Sequence, residues 1–213
     1  MLKNSRGDEP FPTHGMKEDF ENYNIEDEDD AKHYTMWSIV PRIMTTPASG
    51  WLMARDRGPT AEMATLRFLL PLSLLSGASD FLSLLYPLQN TFQGVLVGGV
   101  INFFSFFLGY YIALVLARLF LPKEGREFPT SNYGRLLTMT GIATLAIFHI
   151  VSMALPMLDF IFEFLPLWTL FLIYRGMHLA EFKTDKSFYA LGVMCVTVIC
   201  SPMLVLWIFS FFT

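Results

Sequence analysis

Four ionisable side chains, Asp80, His149, Asp159 and Glu163, fall in stretches of sequence that are otherwise almost entirely apolar. Burying such groups in lipid is expensive, so each is a functional candidate. Asp159 and Glu163 are four residues apart and would share one helix face. A histidine titrates near neutrality and clustered carboxylates hold protons more tightly, so the four together could relay protons. Histidine with carboxylates also suits a transition-metal cation. The structural alternative has Asp80 bonding hydroxyls such as Ser79 or Ser83, His149 packing through a hydrogen bond, and the other two carboxylates reaching water.

Enzymatic motifs do not support chemistry beyond this. The chain has no P-loop, no His-Glu-x-x-His and no Gly-x-Ser-x-Gly. Asp80 and Asp159 suggest a pair of intramembrane aspartates sharing a proton, but the run ending at Asp80 is Gly77-Ala-Ser-Asp80, not Gly-x-Gly-Asp. Cys195 and Cys200 form no ligand pattern with nearby histidines. A non-enzymatic protein with no cofactor and no bound metal is expected. The net charge of −4 supplies no overall basic field for nucleic acid.

The elements that must position these residues follow from the distribution of charge. The 213-residue chain is 53% hydrophobic and 16% charged, with 21 Phe. No residue is ionised at neutral pH from Phe81 to Ala117, from Leu136 to Leu158, or from Ser187 to Thr213. A spanning helix needs about 20 mostly apolar residues, so the expected fold is all-α, a polytopic transmembrane bundle. Five spans are expected, at about 61–86, 92–121, 135–155, 158–176 and 187–212. Thr60 caps the first, with Glu62 in its positive first turn, and Pro71 is expected to bend it. Pro156 and Pro166 join the third and fourth in a tight hairpin.

Ahead of the spans, residues 1–36 read as an acidic disordered tail, because the first 34 residues hold ten acidic and four basic side chains. There is no apolar core of a secretory signal between Met1 and Asp30. Residues 37–58 mix aromatic and aliphatic residues with arginines and are broken by Pro41, Pro47 and Gly50. Thr46 followed by Pro47 predicts a short helix from Pro47 to about Asp56. Two placements are open for it. It lies in the interface, with Trp51 and Leu52 at the acyl boundary and Arg55 and Arg57 among headgroups, or it plugs the base of the bundle. Residues 59–213 form the transmembrane domain.

With five spans, all fifteen Lys and Arg residues fall on the side of the N-terminus: eight within residues 1–67, four between Arg118 and Arg135, and three between Arg175 and Lys186. The bias of these residues sets orientation, so the N-terminus is expected in the cytoplasm and the C-terminus outside it. Arg118 and Arg135 can reach lipid phosphates. The small residues Gly94 and Gly98, followed by Gly99 and Gly109, predict close helix packing along the second span. The expected partners are the lipid bilayer and a second membrane protein or another copy of the chain.

The order of parts carries a resemblance. A polar N-terminal region leads to Ile43-Met44-Thr45-Thr46-Pro47-Ala48-Ser49-Gly50-Trp51 and then to five closely spaced spans. Over about residues 37–213 this layout resembles the Yip family (Ypt/Rab-interacting proteins), above all its bacterial members. The resemblance implies a non-catalytic membrane adaptor or scaffold, and for a bacterial-type member an inner-membrane location in preference to the endoplasmic reticulum or Golgi. The alternative function is a small transporter or channel subunit using Asp80, His149, Asp159 and Glu163 for protons or a metal ion.

Overall fold

The computed structural model describes residues 34–86, 91–158, 164–180 and 187–211. Every regular element among them is helical. Two short helices, α1 (Met36–Thr45) and α2 (Pro47–Arg57), precede α3 (Ala61–Leu85), α4 (Phe92–Phe120), α5 (Asn132–Ala154), α6 (Leu165–Leu179) and α7 (Ser187–Phe209). Residues 1–33 of the expected acidic tail, and both Asp159 and Glu163, lie outside the described residues; the last tail position, Met36, instead starts α1 and is buried.

Four helices, α3, α4, α5 and α7, are long and apolar enough to cross a membrane, as expected of a multi-pass protein. The fourth expected span is represented by α6, whose 15 described residues are fewer than a crossing normally uses. Side-chain hydroxyls begin three of these four helices: Thr60 accepts from the Met63 amide, Thr91 from Gly94 and Ser131 from Gly134. Thr46 departs from this pattern. Its hydroxyl donates back to the Arg42 carbonyl and accepts from Ser49 instead of capping α2.

Pro71 and Pro202 are absorbed by neighbouring side chains. Ahead of Pro71, α3 widens into a π-turn over Thr65–Leu69. Pro71 has no N–H for the carbonyl four residues back, that of Arg67, and the indole of Trp37 donates to that carbonyl at 3.0 Å. In α7 the corresponding acceptor behind Pro202 is Val198, which takes the Ser201 hydroxyl.

The packing is set by where backbones can touch. A Cβ on Gly99 of α4 would lie 2.6 Å from the Gly77 carbonyl oxygen of α3, so only glycine fits there. Gly94, expected at such a contact, is exposed, and a Cβ there would meet only Thr91 in its own turn; Gly98 faces the Asp80 carboxylate. The rotation of α4 puts Gly99 and Gly109 on the buried seams, the latter against Pro202 of α7. Helices α3 and α5 run parallel, with α4 antiparallel between their ends: Ala61 meets Asn132 at one end, and Tyr86 meets Ala154 at the other.

The N-terminal pair is built into the core. Met36, Ile39, Val40 and Ile43 form a buried stripe along α1 at helical spacing, and α2 folds back so closely that a Cβ on Gly50 would reach 2.5 Å from the Ile43 amide nitrogen. Trp51 is only 1% exposed. The ring does not reach an acyl boundary, as one of the two expected placements had it: it fills a notch over Gly176 in α6, and its N–H reaches the Leu172 carbonyl at 3.0 Å.

Candidate functional site

Asp80 opens a 3₁₀ turn (Asp80–Leu85) that ends α3, and it is only 8% exposed. The turn is fixed by the Ser83 hydroxyl, which donates to the Asp80 backbone carbonyl at 2.6 Å. Ser79 bonds its own helix, donating to Ser76. Neither hydroxyl therefore serves the Asp80 carboxylate, contrary to the structural alternative read from sequence. Its partners come from other helices. One oxygen, Oδ1, lies 2.8 Å from Nε2 of His149 in α5, and Oδ2 accepts from the Asn102 amide of α4 at 2.6 Å.

An ionised carboxylate only accepts; with Asp80 in that form, Nε2 of His149 would be the donor to it. The Asn102 amide nitrogen is 3.3 Å from that same Nε2. Two donors thus converge on one carboxylate, and three helices are tied at one depth. The Phe106 ring packs at 5.9 Å from the imidazole. Gly98 leaves room on α4 for the carboxylate, since a Cβ there would rest at 3.5 Å from Oδ2.

Asp80 and Asn102 also line a cavity of about 420 Å³ with Ser83, Thr91, Gly94, Val95 and Met153. The carboxylate is therefore held from behind by His149 and faces space at the Leu85 end of the bundle. Such an arrangement can hold or pass a proton. No group of three metal-ligating side chains occurs among the described residues, and the two cysteines are free thiols.

Sequence reasoning found Asp80 and His149 and missed Asn102. The available signal was an amide in the otherwise apolar run from Val95 to Phe104, where a polar side chain demands a partner.

The opposite end of the bundle carries the segment around Pro47. Trp51 stands edge-on to Tyr133 at 5.9 Å, and the Tyr133 hydroxyl donates to the Gly176 carbonyl at 2.9 Å. Asn132 ties the turn ahead of α3, accepting from the Ala61 amide and donating to the Pro59 carbonyl. Arg55 reaches Asp56 at 2.8 Å on the surface, and Arg57 closes α2.

Compared with family models, curated proteins and solved structures, the chain matches none.

Proposed function

We propose that the chain is a non-enzymatic, five-span membrane protein of the Yip type that organises or adapts other membrane components, with its N-terminus in the cytoplasm. The observation that carries this reading is the mutual satisfaction of Asp80, His149 and Asn102 across three helices. Their polar atoms are engaged with one another, which suits a clamp that holds spans in register better than a ligand site. A fifth crossing is supported by α6, which packs against α5. The concentration of the cationic side chains toward the Ala61 end supports the orientation.

The test is purification of the full chain from its native membrane in mild detergent. A stoichiometric membrane-protein partner, retained by the Asp80→Asn and His149→Gln variants, is the expected result. A tag after Thr213 should be protected from cytoplasmic protease in intact cells.

The cavity beside Asp80 and Asn102 favours a second reading, a small proton- or cation-handling subunit. Purified chain in vesicles that dissipates a proton gradient, with the activity lost in Asp80→Asn, would replace the adaptor with that function.

A further inference from the structure

A second cavity lies at the other end of α4. Beyond Phe120 the chain makes two 3₁₀ turns, Lys123–Gly125 and Phe128–Thr130, before α5 begins. These and the last turns of α4 enclose about 510 Å³ lined by Val115, Arg118, Leu119, Arg126, Glu127 and Thr130. Val115, Arg118 and Leu119 are spaced at three and four residues, so they share one face of α4. Both apolar members of that face are more than half exposed.

Two of the polar members are oriented by the loop itself. The Arg126 Nε donates to the Leu121 carbonyl at 3.3 Å, which orients the guanidinium while its terminal nitrogens keep no protein partner among the described residues. Arg118 likewise has no ion pair among the described residues, although Glu127 lines the same cavity. Thr130 is oriented by donating to the Glu127 carbonyl at 2.7 Å. The cavity is thus lined by two arginines, one glutamate and an apolar wall, at the edge of a helix that can span the bilayer.

We infer that this cavity binds the headgroup of a zwitterionic phospholipid with a primary amine, of the phosphatidylethanolamine class. Paired guanidiniums match a phosphodiester through forked, charge-assisted hydrogen bonds. The Glu127 carboxylate matches an ammonium that can donate hydrogen bonds, which a quaternary choline cannot. Val115 and Leu119 supply the surface for the first acyl methylenes. A purely anionic headgroup would meet Glu127 as a like charge. The inference rests on α4 being membrane-embedded and is independent of any partner protein.

The test uses purified full-length protein in detergent, titrated with phosphatidylethanolamine, phosphatidylcholine and phosphatidylglycerol of identical chains, and with free phosphoethanolamine, read by native mass spectrometry. Phosphatidylethanolamine should bind tightest, with the free headgroup competing only at far higher concentration. Arg118→Gln and Arg126→Gln should each weaken all three lipids about fivefold, whereas Arg118→Lys, which keeps the charge but loses the fork, should recover only part of that loss. Glu127→Gln should abolish the preference over phosphatidylglycerol. Equal binding of the ethanolamine and choline lipids to wild type overturns the proposal, as does wild-type affinity in the arginine variants. Competition by phosphoethanolamine as strong as by the lipid overturns the lipid as the ligand. Melting temperatures of the variants without lipid, matched to wild type, separate lost binding from lost folding.

Discussion

At the Ala61 end of the bundle, Trp51 and Tyr133 each give one hydrogen to a backbone carbonyl of α6, and rings and methyl groups fill the remaining space. At the Leu85 end, Asp80, Asn102 and His149 bond side chain to side chain across α3, α4 and α5. In the first region shape does most of the holding, and each hydrogen bond has a backbone acceptor that cannot move away. In the second, every partner is itself a side chain, so removing one strands the others. Volume is the weak point of one region and polarity that of the other.

The largest effect should come from Trp51→Ala, which empties a fully buried site and should cost about 3–5 kcal/mol in reversible unfolding from mixed micelles. A loss below about 1 kcal/mol would mean that α2 is not part of the folded core. Next, Asp80→Ala should cost about 1–3 kcal/mol because the Asn102 amide and the His149 imidazole lose their acceptor. A double-mutant cycle of Asp80→Ala with His149→Ala should give a coupling of about 0.6–1.7 kcal/mol. Coupling near zero would dissolve the contrast between the two ends.

Trp37→Phe keeps an edge-on partner for Phe68, whose ring lies 4.9 Å away, and loses only the hydrogen bond to Arg67. A destabilisation of about 0.5–1.5 kcal/mol is expected, and none at all would show that the carbonyl freed by Pro71 has another donor. The smallest effect belongs to Glu62→Gln. The Glu62–Arg135 pair spans 3.5 Å and is well exposed on the Glu62 side, so the same unfolding measurement should move by less than about 1 kcal/mol.

The long helices were legible because lipid imposes a length and forbids charge, and because Thr60 marks the start of α3 in the sequence. Asp80 and His149 stood out for the same reason. Helix α1 was not read as a helix, since Pro41 sits in its interior, yet the stripe from Met36 to Ile43 follows helical spacing and buries well enough to override the proline. Gly99 could not be preferred to Gly94, because that choice depends on how α4 is rotated against α3. Trp51 suited both an interface and a core. Its indole needs an apolar body and one acceptor, and only the fold reveals that the acceptor is a carbonyl in α6.

That acceptor, Leu172, is 121 residues downstream of Trp51. On the ribosome, α1 and α2 emerge before any of the long helices, and the groove that receives them is incomplete until α6 has been synthesised and laid beside α5. The α1–α2 pair is therefore among the last parts of the bundle to find its place, although its residues are made before those of any long helix.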